Sequence, residues 1–351
     1  MLRREIPGPK QHTFDREYSH MRATIIDRFG GPDELRLAEL RQPKPGPDEA
    51  LIRLVYAGVN PADWKIREGW LQNYFEYSFP FVLGFDGAGV IAALGEGVRD
   101  LAVGDRVVTA SNQGKGGWGT YAEYAVCDVD RVARLPDSVG FAEAAALPTA
   151  GMTSWEALFD VGGLRSGQKV LVNGGAGGVG SYCIQLAKMV GARVAATCGP
   201  ANLEYVRSLG AELAIDYRSQ DVAAAVRAWS PEGLDLIVDA VGQGSLLQSV
   251  ELVKAGGVIA PISTLISDEP QPDAARAAAR GVRIAPTTSS FERQGRQLRS
   301  LVQALEAGRI RAPAIEVLPL AEAATAHRRV QAGHVRGKIL LDVASAAQAA
   351  P

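Results

Sequence analysis

Cysteine is scarce in this chain of 351 residues: there are three, Cys127, Cys183 and Cys198. They are odd in number, far apart and form no Cys-x-x-Cys pair, which argues against a disulfide framework and fits a reduced, cytoplasmic setting. Long apolar runs are also missing. No segment reaches membrane-spanning length, and the first residues lack the apolar stretch of a signal peptide, so a soluble protein without a membrane partner is expected. A basic excess is absent too. The formal net charge is −2, which argues against a nucleic-acid binder, since that would need a basic face. What the chain does have is a 47% hydrophobic content, enough for real cores in about two domains.

The rhythm of the chain changes twice. Residues 1–20 are polar, carry Pro7, Pro9, His12 and His20, and read as a loose extension. From 21 to 145 short alternating segments such as Ala50–Val55, Gly89–Leu94 and Asp105–Val108 are broken by Gly and Pro, predicting an irregular, barrel-like β domain. Gly114–Gly119 has a phosphate-loop composition but no strand before it or helix after it, so it reads as a turn. From 146 onward strands at 169–173, 193–197, 213–216, 235–239 and 256–261 alternate with helical patterns. That alternation predicts a doubly wound parallel sheet, hence an α/β fold. A further strand near Val282–Ile284, a helix around 294–308 and a closing strand over Gly337–Val343 follow. The expected division is a β-rich domain over 21–145 completed by 285–351, and a nucleotide-binding domain over 146–284.

The run Gly174-Gly175-Ala176-Gly177-Gly178-Val179-Gly180 sits between the apolar strand Lys169–Asn173 and a helical pattern. This order is the dinucleotide-binding fingerprint, with Gly175, Gly177 and Gly180 as its three glycines. The N–H groups around Ala176, Gly178 and Val179, at the helix start, would hold a pyrophosphate. NAD-selecting sites place an acid at the end of the second strand, and Cys198-Gly199-Pro200-Ala201-Asn202 contains none. An acid there would repel a 2′-phosphate, so NADPH is the expected cofactor. Cys198 and Asn202 border that end. Tyr217 and Arg218 follow the third strand, either as phosphate contacts or as an ordinary surface turn.

Several ordered blocks give the chain a family resemblance. They are Gly58–Gly69, Pro80–Gly89, Val103–Val107, Leu147–Thr153, the glycine run, Ser208–Glu212 with Ile215–Tyr217, and Gly333–Lys338. Together they resemble the medium-chain dehydrogenase/reductase superfamily over residues 21–345, in particular its zinc-independent quinone oxidoreductase group. The resemblance implies a GroES-like catalytic domain, a Rossmann NADPH-binding domain and a homodimer. Zinc alcohol dehydrogenases, similar in outline, carry Cys, His and Cys where this chain has Asn60, Phe85 and Thr149. Phe85 cannot bind zinc, the other two are poor ligands, and the segment from Asp105 to Tyr121 lacks the cysteines of a structural zinc lobe. No metal site is expected.

Without a Lewis acid, hydride delivery suits acceptors whose anion is delocalised, namely quinones and α,β-unsaturated carbonyls. By family position Asn60, Phe85, Thr149 and Thr153 should border the nicotinamide. Asp63 would either anchor the Asn60 loop or act as a cap. Lys65 occupies a position that belongs to a proton relay in some zinc relatives, and otherwise is a surface charge. The aromatic stretch Trp70–Phe79 offers Tyr74 and Tyr77 as proton donors; it either covers the cleft or seals the core. Val241 and Ser263, at two further strand ends, complete the cofactor candidates together with His334, Arg336 and Lys338, near the closing strand, any of which either reaches cofactor phosphates or is an ordinary surface charge. The rival readings are an enoyl-thioester reductase and a non-enzymatic NADPH-binding protein.

Overall fold

The computed structural model describes residues 19–242, 244–245, 248–262, 270–287 and 291–345. Residues 1–18 of the polar extension, and Ser263, lie outside them.

Among the described residues one six-stranded sheet is wholly parallel. Its order is Leu213–Asp216, Arg193–Cys198, Lys169–Asn173, Leu234–Asp239, Val253–Pro261 and Arg283–Ile284. Numbered within the sheet this is 3-2-1-4-5-6, so the order reverses beside Lys169–Asn173 and opens a crevice at the carboxyl ends of the strands. Val170, Leu171 and Val172 are fully buried, as expected of a central strand covered on both faces. The glycine run leaves this strand at the crevice and enters the helix Gly178–Met189.

The second body is the β-rich one. A seven-stranded sheet holds Ile315–Pro319, Lys338–Asp342, Glu49–Val59, Asp86–Leu94, Arg106–Ala110 and Val132–Arg134 in that order, with Tyr124–Asp128 also paired to Glu49–Val59. A three-stranded sheet of Arg36–Arg41, His20–Ile26 and Phe81–Val82 accompanies it. The C-terminal strand Lys338–Asp342 runs antiparallel to Glu49–Val59, with Ile339 opposite Val59. The residue before it, Gly337, bridges to Gly177. One short segment therefore joins the glycine turn to the β-rich sheet, and the functional residues gather along that seam. The helix Pro148–Trp155 begins there and is tied to the cofactor side by Ser154, whose hydroxyl donates to the Val179 carbonyl at 2.9 Å.

Candidate functional site

The glycine turn is built by exclusion of side chains on one side and openness on the other. A Cβ on Gly180 would stand 2.2 Å from the Gly174 carbonyl oxygen, which only hydrogen permits. A Cβ on Gly177 would meet nothing nearer than that same oxygen at 3.6 Å. Gly177 is thus kept bare for the approach of something outside the fold. The turn is pinned to the second strand by Gly175 N–H donating to Thr197 O (2.8 Å) and Gly174 N–H to Thr197 Oγ1 (3.0 Å). Beyond Gly177 the helix Gly178–Met189 presents its unpaired N–H groups and positive dipole end. This cradle fits the pyrophosphate of a dinucleotide.

Facing the cradle is a buried polar cluster centred on Asp86. Its carboxylate is fully enclosed and accepts from Thr149 N–H at 2.9 Å and from the Thr149 hydroxyl. It also accepts from Asn60 Nδ2 at 2.9 Å and from Lys338 Nζ at 3.2 Å. A buried carboxylate is tolerable only when satisfied in this way. The Lys338 ammonium spends its other hydrogens on Asn60 Oδ1 and on Val59 O at 3.1 Å. The orientation of the Asn60 amide follows: its oxygen must face the donor-only ammonium and its NH₂ the acceptor-only carboxylate.

A second buried carboxylate, Asp63, holds the same loop from below. One oxygen accepts from Asn60 N–H (2.7 Å) and Tyr121 Oη–H (3.0 Å). The other accepts from Gln113 Nε2 (2.9 Å) and Phe85 N–H (3.2 Å). Burial raises this carboxyl to about 6, opposed by the Gln113 hydrogen bond and reinforced by the Asp86 charge. Asp63 therefore acts both as the helix cap and as the loop anchor, the two roles the sequence left open. Between them the two carboxylates place Asn60, Phe85 and Thr149 together.

Those three positions do not fit a zinc ion. The Asn60 oxygen is taken by Lys338, the Thr149 hydroxyl is given to Asp86, and Phe85 has no donor atom. Among the described residues no group of three or more His, Cys, Asp and Glu side chains could hold a metal ion. No helix among them is long and apolar enough to cross a membrane.

Other candidates are placed differently from expectation. Lys338 does not reach for phosphate: its stem lies over Gly178 and its ammonium is buried at Asp86. Its charge is required there by the enclosed carboxylate, which no spacing in the sequence revealed. Tyr77 packs edge-on against Phe29 and Phe81, its hydroxyl is enclosed without a hydrogen-bond partner, and burial pushes it up to about 12. Half-buried, it packs against the core of the β-rich body. Tyr74 points to solvent, 74% exposed. Lys65 is buried, with its ammonium over the rings of Trp64 and Trp70.

On the cofactor side Thr153 is buried in the helix Pro148–Trp155. Val241 is half exposed beside Gly174. The Cys198 thiol is buried at its strand end, so only its backbone is offered. Asn202 accepts from Arg336 Nε, whose Nη2 donates to Ala201 O at 2.7 Å, and the guanidinium stacks on Tyr205. Tyr217 and Arg218 are exposed nearby, with Tyr217 N–H donating to Cys198 O at 3.3 Å.

Sequence reasoning did not single out Asp86, Tyr121, Gln113, Arg67 or His327. Asp86 left one signal, an acid in the small, apolar run Gly84–Gly89. His327 left none, because it lies in the polar stretch Thr325-Ala326-His327-Arg328-Arg329.

Residues 46–137 match the family model described as alcohol dehydrogenase GroES-like domain, and residues 209–341 the one described as zinc-binding dehydrogenase. The chain is 32% identical over 331 residues to the chloroplastic NADPH-dependent alkenal/one oxidoreductase of Arabidopsis thaliana, covering 92% of this chain and 79% of that protein. It is 39% identical over 215 residues to the chloroplast envelope quinone oxidoreductase homolog of the same plant, a match spanning 60% of this chain and 64% of that protein. Among solved structures, the quinone oxidoreductase from Coxiella burnetii superposes with a TM-score of 0.81 at 30% identity, covering 93% of this chain and 100% of that one.

Proposed function

Because the chain belongs to the medium-chain dehydrogenase/reductase superfamily, in its quinone oxidoreductase group, we propose that it reduces quinones or α,β-unsaturated carbonyls with NADPH and without zinc. The observation that carries this reading is the Asn60–Lys338–Asp86–Thr149 cluster. It fills the zinc-ligand positions of related enzymes with committed hydrogen bonds and lies across the seam from the glycine cradle.

Gly175, Ala176, Gly177, Gly178, Val179 and Gly180 form the pyrophosphate cradle, with backbone N–H groups at the helix start. Asn202, Tyr217 and the Arg336 guanidinium receive the 2′-phosphate, and Thr153, Val241 and the Cys198 backbone line the rest of the cofactor path. NADPH, when bound, supplies the hydride. Asn60 has a second amide hydrogen beyond the one given to Asp86, and this donor stabilises negative charge on the acceptor oxygen. An enolate or hydroquinone anion is within reach of such neutral donors, whereas a simple alkoxide calls for a Lewis acid. The product anion takes its proton from water.

The deciding assay follows NADPH absorbance with a panel of quinones, enones and an enoyl thioester, alongside metal analysis of the purified protein. Decay with quinones or enones in metal-free protein is the expected result. Absence of decay with every acceptor, or turnover that disappears when zinc is chelated, would refute the proposal; decay confined to the thioester would move the substrate class. A homodimer and a reducing cytoplasmic location belong to the same proposal. The three cysteines, all buried and unpaired, support the location, and sedimentation analysis tests the dimer.

A further inference from the structure

A line of buried side chains runs away from the site, and nothing in the proposed chemistry uses it. Arg67 ends the helix Pro61–Arg67 and is fully buried. Its Nη1 stands 3.2 Å from His327 Nδ1, on the C-terminal helix Ala323–Ala332. His327 Nε2 stands 3.1 Å from Tyr121 Oη, and Tyr121 Oη is 3.0 Å from Asp63 Oδ2. Arginine can only donate, so Nδ1 must carry the lone pair and Nε2 the proton. Each hydrogen then has one direction: Arg67 to His327, His327 to Tyr121, Tyr121 to Asp63. The far end is anchored at the molecular rim, where Arg67 donates to Gly30 O (2.9 Å), Glu68 (2.7 Å) and Gln331 (3.1 Å).

The near end matters most. Asp63 is the carboxylate that accepts both Asn60 N–H and Phe85 N–H, so whatever holds Asp63 sets the backbone at both of these positions. We propose that His327 and Tyr121 are positioning residues of the hydride-transfer site, acting through Asp63 on Asn60 and Phe85 without touching substrate. The proposal rests on the reductase reading for its kinetic arm only.

The groups around the line are consistent with one protonation pattern. Asp63 faces Asn60 on its own turn, Gln113, Tyr121, the Asp86 carboxylate and the Lys338 ammonium. His327 faces Arg67, and burial, reinforced by the Arg67 charge, holds the imidazole down at about 3, so it stays neutral. Tyr121 lies between Asp63 and Arg67, and burial followed by the Asp63 charge keeps its phenol protonated. A neutral imidazole, an intact phenol and an anionic carboxylate are what the three hydrogen bonds require.

The test compares Tyr121→Phe, His327→Leu and His327→Gln. Glutamine presents an acceptor and a donor at about the spacing of the two ring nitrogens, so it can preserve the direction of the line. Tyr121→Phe and His327→Leu should lower kcat about tenfold with the NADPH KM changed less than about twofold, as expected when placement in the transition state suffers and ground-state binding does not. The acidic limb of the kcat profile should move to higher pH in Tyr121→Phe, because Asp63 loses a donor to its anion. His327→Gln should recover most of the rate. Unchanged kcat and pH profile in Tyr121→Phe, or His327→Gln no better than His327→Leu, would overturn the proposal. If His327→Leu fails to fold, Tyr121→Phe against His327→Gln still decides.

A second measurement needs no turnover. Nitrogen NMR of the folded protein, with His327 assigned by its loss in His327→Gln, should show a neutral Nε2–H tautomer down to about pH 4. A protonated ring or the other tautomer would overturn the line itself. Failure of the wild type to reduce any acceptor would instead refute the reductase reading and leave this result standing.

Discussion

At Lys338 three ammonium hydrogens meet three acceptors, Val59 O, Asn60 Oδ1 and Asp86 Oδ2, in a site closed to water. Removing one partner of such a pair leaves the other buried and unbalanced, which costs about 3 kcal/mol or more. Lys338→Met should therefore destabilise the protein by about 3 kcal/mol in a denaturant titration, and Lys338→Met with Asp86→Leu by less than the sum of the two. His327 gives a second residue-scale prediction, with a sign set by linkage. Its folded value, about 3, lies below the ordinary 6.5. Between those values the unfolded chain binds a proton that the folded one refuses, so its stability contribution is present above pH 6.5 and lost as the pH falls toward 3. Asp63, raised to about 6, has the opposite slope: it favours the folded state at low pH and loses that as the pH rises from 3.8 to 6. Their slopes oppose each other in the wild type. In His327→Gln only the Asp63 slope remains, so the stability gap to wild type should narrow by up to about 1.4 kcal/mol per pH unit from pH 6 toward pH 4. A gap independent of pH in urea titrations would contradict the neutral, buried imidazole.

Among the elements, the strand–turn–helix unit was legible because its glycines and apolar run are local signals. The expected strands 169–173 and 213–216 match Lys169–Asn173 and Leu213–Asp216, and 193–197 and 235–239 fall one residue short of theirs. The aromatic stretch 70–79 was not legible. It has no helical or strand period, so nothing local says that Tyr77 turns inward onto Phe29 while Tyr74 faces water. The turn itself separates two functions of glycine. Gly177→Ala adds a methyl whose nearest neighbour is 3.6 Å away, so the fold should keep its melting temperature within about 2 °C. Cofactor affinity should still fall about tenfold or more, because that methyl stands on the pyrophosphate side. Gly180→Ala drives a methyl to 2.2 Å from a backbone oxygen and should lower stability as well as affinity. Equal stability losses in the two variants would show that Gly177 is bare for reasons of folding alone.

The whole molecule is held at its seam by a few consecutive residues that sequence blocks identified but could not assign. Lys338 lies over the cradle and under Asp86, Gly337 N–H donates to Ala176 O at 2.8 Å, and Arg336 turns outward to Asn202 and Ala201. The distances between these partners along the chain, from Asn60 and Ala176 to the C-terminal strand, are why their roles were hidden; only the folded sheet order brings them together. Arg336 completes an argument that the strand end began. That end carries no acid, which removes repulsion of a 2′-phosphate, and the exposed guanidinium adds attraction of the bidentate kind that arginine gives to phosphate. Its backbone and Asn202 contacts hold it in place, so little ordering is needed on binding. Arg336→Ala should therefore reduce the preference for NADPH over NADH by about tenfold, roughly 1.4 kcal/mol, read as the ratio of kcat/KM values for the two nucleotides. The KM for the acceptor should not change, since Arg336 is engaged with Asn202, Ala201 and Tyr205 and makes no hydrogen bond to the Asp86 cluster that holds Asn60. The preference should also weaken with added salt in the wild type and much less in the variant, as a screened charge contact would. An unaltered ratio in Arg336→Ala would transfer the selection of the 2′-phosphate to Tyr217 and Arg218, the exposed pair after the third strand.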